Sequence, residues 1–390
     1  MKDICIIGGG ASGTAAAIAA ARSGASVVIA EGNARVGKKL LTTGNGRCNL
    51  THVSPSADAY RGDADFIADV LGEFGATGAF TFFKSLGLLL HSDGEGRVYP
   101  YSNSANTVLD ALRRELDRFG VETVCGFKVK SVAGRDGDFS VRSADDKTIK
   151  AKKVIFAAGG KAAPSSGSDG SGFALLGTLG IKSTETRPAL TGLKCGGTAR
   201  FKGIRAKARV TLLRGGVEIS SAAGEVQFGD AGLSGICVFD VSRFAQKGDE
   251  AKVDLLPDYT PELAAQVLAE LDGGRGLPAA ELLCGVFNRR LAEYAAANAH
   301  GSGFAALAES AKSLRFTVEG VMPFANAQVT AGGVPASEVG RDLQSVRAPG
   351  VYIAGELLDV DGICGGYNLH WAWCSGIRAG ESAASALKRL

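Results

Sequence analysis

An apolar run, Ile4-Cys5-Ile6-Ile7, leads straight into Gly8-Gly9-Gly10-Ala11-Ser12-Gly13, and after Thr14 comes the alanine-rich stretch Ala15 to Ala21. A strand, a turn spaced G-x-G-x-x-G at Gly8, Gly10 and Gly13, and a helix leave a chain few folds to choose from. The glycines allow a tight turn, a close backbone approach to a diphosphate and close packing of helix on strand. The helix N-terminus, at Ala11 and Ser12, presents amides to the anion. Gly24 ends the helix, Ser26 to Ala30 reads as a second strand, and Glu31 falls eighteen residues after Gly13 with Gly32 beside it. At the tip of that strand a carboxylate accepts hydrogen bonds from a ribose diol. A glycine turn that binds nothing has the same spacing. Strand, glycines, helix and acid in this order favour a dinucleotide site.

A second glycine-punctuated stretch lies at the far end of the chain: Val351-Tyr352-Ile353-Ala354-Gly355-Glu356, then Asp361, then Gly365-Gly366-Tyr367-Asn368-Leu369. Ala354-Gly355-Glu356 closes a strand, and Tyr367 to Lys388 reads as a helix. Amides in the first turn of that helix favour negative charge, here on the N1 and C2 carbonyl side of a reduced flavin. A nicotinamide dinucleotide is largely served by one half-fold, whereas a flavin reaches a distant part of the same domain. The pair of motifs therefore points to FAD, held without a covalent bond. Between them, Val154-Ile155-Phe156-Ala157-Ala158-Gly159-Gly160 is an apolar strand ending in small residues, with Ala158 and Gly159 placed for close approach to a nucleotide. Phe127 to Val132 alternates like a strand, and a backbone contact from Val129 to adenine is plausible. Both stretches also suit ordinary sheet.

Four runs carry a specific resemblance: Thr42-Thr43-Gly44-Asn45-Gly46-Arg47-Cys48-Asn49-Leu50-Thr51, Gly232-Leu233-Ser234-Gly235, Val329-Thr330-Ala331-Gly332-Gly333-Val334, and the C-terminal run from Gly355-Glu356 to Gly366-Tyr367-Asn368-Leu369. With them, nearly the whole chain resembles the bacterial BaiN/YhiN-type flavoproteins. The resemblance implies an α/β fold: a two-dinucleotide-binding-type FAD domain, Rossmann-like, with an inserted β-rich substrate domain that carries a small helical subdomain. It implies an NAD(P)/FAD-dependent oxidoreductase. Some members are reductases of enone-type steroids, and others carry an aminoacetone oxidase label. It further implies that Gly46, Arg47, Cys48 and Asn49 line the flavin and that Lys39 lies near the diphosphate. The chain departs from the pattern at His370, where Gln is the usual residue.

Composition narrows the remaining choices. A formal net charge of +3 over 390 residues, with its cations scattered, argues against nucleic acid or an anionic membrane as partner. No apolar run approaches the ~20 residues needed to cross a bilayer. The start, Met1-Lys2-Asp3, runs directly into the nucleotide strand, so a cytoplasmic address is the simplest expectation. The eight cysteines include no C-x-x-C pair and Cys48 has no second cysteine five residues on, which disfavours a zinc ribbon or a flavin-disulfide reductase. Only four histidines occur and none has metal-ligand spacing. Gly301-Ser302-Gly303-Phe304-Ala305-Ala306 mimics a second dinucleotide motif but follows no strand. NAD(P)H, if it is the transient reductant, must therefore share the substrate pocket.

Along the chain, residues 1–188 and 326–390 are expected to form the FAD domain, residues 189–256 and 313–325 a β-rich insert, and residues 257–312 a helical insert. Phe66 to Leu86 and Thr107 to Phe119 read as helices. Ser165 to Gly172 reads as a loop passing near the cofactor or as a flexible connector. Val210 to Leu213, Val217 to Ser220, Val226 to Phe228 and Val238 to Val241 read as short strands of a small antiparallel sheet or barrel. Pro261 to Leu271, Pro278 to Ala297 and Phe304 to Lys312 read as helices.

Catalytic assignment rests on few residues. His370 can move a proton or sit packed in the core. Tyr367 can be an acid, a hydrogen-bonding wall or packing beside Trp371 and Trp373. Arg47, Arg97 and Arg187 can hold a carboxylate or carbonyl, or make surface salt links. The expected function is hydride transfer through flavin N5, in the direction of NAD(P)H-driven reduction of a small organic substrate held beside the inserted domain. The alternatives are an oxidase that passes electrons from an amine-type substrate to oxygen, and a flavin-binding sensor or RNA-modification partner without turnover.

Overall fold

Ile4 to Ile7 and Val27 to Ala30 are buried apolar runs, the signature of parallel strands covered on both faces. In the computed structural model, which describes residues 1–72 and 74–388, they form adjacent strands, Lys2–Ile7 and Val27–Glu31, joined by the helix Ala11–Arg22. They pair in parallel from Ile4 opposite Val27 to Ile7 opposite Ala30. On the other side of Lys2–Ile7 lies Thr148–Phe156, also parallel, with Ile7 opposite Phe156. Val351–Ile353 joins beyond it in parallel register, and Glu122–Cys125 flanks Val27–Glu31. An antiparallel hairpin, Val129–Arg135 and Asp138–Ser143, continues the sheet from the first half of Thr148–Phe156. The chain thus winds outward on one side of Lys2–Ile7 and then on the other. The order reverses between Lys2–Ile7 and Thr148–Phe156, and ligands of open α/β sheets bind in the crevice outside the strand ends at such a point.

The chain divides into two compact units, Met1–Arg187 with Val329–Leu390, and Pro188–Gln328. The first contains the sheet just described. Its closing helix, Tyr367–Leu387, packs on Ala11–Arg22 through small residues. A Cβ on Gly376 would lie 2.4 Å from the Ser12 carbonyl oxygen, and one on Gly380 would lie 2.3 Å from that of Ala16. Contacts four residues apart on both helices, in the same sense, make the two run side by side in the same direction.

The second unit is a closed six-stranded barrel: Leu193–Cys195, Gly232–Ser234, Val217–Gly229, Arg205–Arg214, Glu250–Asp254 and Leu314–Val321, in that spatial order. Four helices, Pro261–Asp272, Ala279–Cys284, Arg289–Ala297 and Gly303–Ala311, fall between its last two strands.

Two local expectations are corrected, and a third falls partly outside the described residues. Val238 to Val241 is not a strand but part of the helix Ile236–Ser242, entered through Gly235 at φ +105°, and it buries Cys237, Val238, Val241 and Ser242. Pro278 to Ala297 is two helices, because Asn288 caps a new start by accepting from the Arg290 amide. The helix expected over Phe66 to Leu86 crosses residue 73, which lies outside the described residues; to either side stand Ala64–Gly72 and Gly75–Ser85. Among the described residues no single helix is long and apolar enough to cross a membrane.

Candidate dinucleotide site

At the reversal point the backbone is too crowded for side chains. Gly8 has φ +101°, and a Cβ there would sit 2.6 Å from the Ala157 oxygen and 2.8 Å from Ala158 Cα. A Cβ on Gly13 would meet the Gly8 oxygen at 1.9 Å. Gly10 is the contrast: nothing lies within 4 Å of its Cβ position, and as the N-cap residue of Ala11–Arg22 it supplies no side-chain cap. The first turn, at Ala11, Ser12 and Gly13, therefore opens its positive end toward unfilled space.

Glu31 is buried, and its carboxylate braces this turn. Oε2 accepts from the Gly9 amide at 2.7 Å, while Oε1 accepts from the Asn33 amide and side chain at 2.7 and 2.8 Å. A carboxylate can take about four such bonds, so capacity for a ribose hydroxyl is left. Gly32 is open, since a Cβ there would meet only Lys128 Cα at 3.9 Å, and half-buried Val129 begins the adjacent hairpin. The Ser165 to Gly172 loop is fastened over the same end of the sheet: Asn33 Nδ2 donates to the Ser166 oxygen at 3.0 Å and Lys38 Nζ to that of Ser165 at 2.6 Å. In it Ser168 is 4 % exposed, its hydroxyl has no partner, and it lies 2.9 Å from where a Cβ on Gly159 would be. Asn33, Lys38 and Ser168 escaped the sequence reading. An amide two residues beyond Glu31 was the available signal for Asn33, and nothing in the local sequence marks Ser168.

The two glycine motifs meet. A Cβ on Gly355, which has φ +72°, would touch Ser12 Oγ at 2.4 Å. Gly355 is further held by its amide donating to Ser375 Oγ at 2.9 Å and by Trp371 Nε1 donating to its oxygen at 3.2 Å. Glu356 takes the Lys39 ammonium at 2.7 Å and the Thr330 amide at 2.9 Å, so Lys39 stands in an ion pair beside this motif. The closing helix starts at Gly366, φ +97°, again without a side-chain cap. Ten residues separate Gly366 from Gly376, where the helix crosses Ser12, and Ser12 is itself two residues past Gly10, so the N-terminus of the closing helix lies ~12 Å beyond that of the first helix. Asp361 is buried in a short bridge to Tyr60–Arg61, and Leu369 is half-buried against the core. Asn368 closes the intervening loop, accepting from the Gly362 amide and donating to its oxygen, both at 2.8 Å.

Between these ends runs the segment with Gly44, Asn45, Gly46 and Cys48 all at positive φ, 55°, 55°, 82° and 61°. Arg47 is exposed, with its guanidinium carbon 4.5 Å from the centre of the Tyr99 ring. Cys48 points inward, and burial pushes its thiol up to about 12. Asn49, with its amide turned to satisfy its neighbours, accepts from the Gly366 amide at 3.0 Å and donates to the Thr51 and Val98 oxygens at 3.0 and 3.2 Å. His370 is wholly buried: Nδ1 lies 2.8 Å from Thr51 Oγ1, Nε2 has no partner, and burial lowers its pKa to about 4. Tyr367 is buried, stacked on His52 at 5.1 Å and edge-on to Tyr60 at 5.8 Å. Arg97 is engaged by Asp93 and Glu95, each at 2.7 Å, and Arg187 is exposed.

A cradle that glycine alone can line, two uncapped helix starts facing one way but offset along the helix axis, and a buried hydroxyl without a partner fit an elongated, anionic, two-ended ligand. FAD has that form.

The sequence profile of the family described as HI0933-like protein, Rossmann domain, matches residues 2–382. The 3-dehydro-bile acid delta(4,6)-reductase of Clostridium scindens is 41 % identical over 408 residues, covering 98 % of this chain and 99 % of that protein. The ribosomal RNA dihydrouridine synthase of Escherichia coli is 26 % identical, covering 96 % of each. Among solved structures, the 3-ketosteroid-delta4-(5alpha)-dehydrogenase of Rhodococcus jostii shares the fold with a TM-score of 0.55 at 19 % identity, covering 98 % of this chain and 96 % of that one.

Proposed function

The chain belongs to the HI0933-like Rossmann family and is an FAD-dependent oxidoreductase, and from that premise we propose that it reduces a carbon–carbon double bond conjugated to a carbonyl, with NAD(P)H as the source of electrons. The carrying observation is the meeting of the two glycine motifs at Ser12 and Gly355, which offers one ligand two helix N-termini in a single unit. The relatives' names support the chemistry. One reduces delta(4,6) bonds of a 3-dehydro-bile acid and the other makes dihydrouridine, a pyrimidine nucleoside with two added hydrogens.

Gly8, Gly10, Ala11, Ser12 and Gly13 would hold the diphosphate, with Glu31 and Gly32 at the ribose and Val129, Ala158 and Gly159 near the adenine half. The loop of Gly46 to Asn49, the Gly355–Glu356 corner with Asp361, and Gly366 to Leu369 would hold the ring end. When bound, FAD supplies a centre that accepts and donates hydride. The amides of the closing helix stabilise negative charge at that end, which favours the reduced state. Lys39 offsets the Glu356 carboxylate, so that corner adds little opposing charge. His370, without exposed surface, keeps its proton from any substrate.

Anaerobic titration with NADH and NADPH tests this: one of them should bleach the flavin absorbance, and a 3-oxo-delta4 steroid should restore it. Fast reoxidation by air with no response to the steroid would make the protein an oxidase. A colourless protein that refuses FAD would end the reading. Uridine-containing RNA belongs in the same test, since uracil carries a double bond conjugated to a carbonyl and the dihydrouridine synthases are relatives along most of the chain.

A further inference from the structure

The closing helix can stabilise a reduced ring only if its first turn is aimed, and Gly366, having no side chain, cannot aim it. The holding groups come from the segment Asn49 to Thr51. Asn49 accepts from the Gly366 amide at 3.0 Å, Trp373 Nε1 donates to the Leu50 oxygen at 2.9 Å, and Thr51 Oγ1 lies 2.8 Å from His370 Nδ1. Gly366 presses on the same segment, since a Cβ there would be 2.5 Å from the Thr51 oxygen. His370 is the group that grips the first turn itself, because its amide donates to the Gly366 oxygen at 3.0 Å and its ring reaches across to Thr51.

The ring is an expensive way to fill this space. It is fully buried, Nε2 meets no partner, and Phe74 stands 5.7 Å away. A buried polar atom left unpaired costs stability that an apolar side chain of similar volume avoids. What the imidazole supplies, and an apolar residue does not, is the bond to Thr51.

We propose that His370 is a positioning residue: through its bond to Thr51 it fixes the first-turn amides of the closing helix against the Asn49 to Thr51 segment and so sets the potential of the bound flavin. This rests on the FAD reading above. It gives His370 no proton-transfer role.

The test is the flavin midpoint potential of the holoenzyme at pH 7, measured by equilibration with a reference dye. His370→Leu and Thr51→Val should each lower it, with the reduced form losing about tenfold against the oxidised, ~30 mV for a two-electron couple. His370→Gln, which can still reach the Thr51 hydroxyl, should stay near wild type. The double variant His370→Leu/Thr51→Val should fall no lower than Thr51→Val alone, which removes the bond to His370 together with the 3.3 Å bond from Thr51 Oγ1 to the His52 oxygen. Unchanged potentials in His370→Leu and Thr51→Val, with flavin bound, would overturn the assignment and leave the FAD reading standing. Should His370→Leu lose its flavin, Thr51→Val decides, since it deletes the same bond with a side chain of equal shape. A wild-type protein that binds no flavin overturns both.

Discussion

A buried imidazole has a cost that pH exposes. Burial holds His370 at about 4, against an ordinary value of 6.5. Between those values the unfolded chain binds a proton that the folded chain refuses, so stability is complete above pH 6.5, falls as pH drops toward 4, and changes no further below that through this group. The full difference is on the order of 3 kcal/mol for a group this buried. Urea midpoints measured from pH 7.5 to 4 should show the decline, and His370→Gln should flatten it; equal slopes in the two proteins would mean that the ring is solvated. No such role was legible at the residue level. His370 sits four positions after Gly366, as a residue near the ring end would, and helical spacing does not say which neighbours a side chain meets. Cys48 teaches the same lesson in reverse: its motif marks the segment, while φ +61° turns the thiol into the core.

Helices read well where apolar spacing ran long and poorly where a single residue set the boundary. Val238 to Val241 holds two β-branched valines and Phe239, which suit a strand, yet Gly235 starts a helix that buries positions 237, 238, 241 and 242, a helical spacing hidden in a short run. The most consequential pair of positions was the least visible. Gly376 and Gly380 look like weak points in a helix, where alanine is normally better by ~1 kcal/mol. Their contacts with the Ser12 and Ala16 oxygens reverse that sign. Gly376→Ala and Gly380→Ala should each destabilise by roughly 1–3 kcal/mol, because the Cβ forces two packed helices apart. Gly177, exposed in the helix Ser171–Thr178 with nothing within 4 Å of its Cβ position, is the control. Gly177→Ala should be neutral or stabilising by up to ~1 kcal/mol. Chemical denaturation of the three variants checks both signs, and a stabilised Gly380→Ala would mean that the helices are not in close contact.

At the scale of the whole chain, the glycine spacing at 8–13 and at 355–369 announced two ligand-binding ends, but not the distance between them. That distance follows from the Gly376–Ser12 and Gly380–Ala16 contacts, which slide the closing helix ~12 Å past the start of the first. An offset of this kind predicts how the ends cooperate. Each half-ligand stabilises by its own occupancy, RT ln(1 + [L]/Kd), about 2.7 kcal/mol at a hundredfold excess over Kd. Joined in one molecule, the second end binds at an effective concentration of order millimolar, set by the tether. FAD should therefore raise the thermal unfolding midpoint more than ADP and riboflavin supplied together at the same concentration, with ADP alone giving part of the shift. If ADP alone matched FAD, the closing motif would contribute nothing to binding, and the ring would have to lie away from Gly366. Gly376→Ala sharpens the distinction. By displacing one helix start relative to the other it should cut the advantage of FAD over the two separate halves; because the new Cβ meets Ser12, inside the first motif, the shift produced by ADP should fall as well, whereas Gly380→Ala, whose contact is Ala16, should cut the advantage of FAD with little change for ADP.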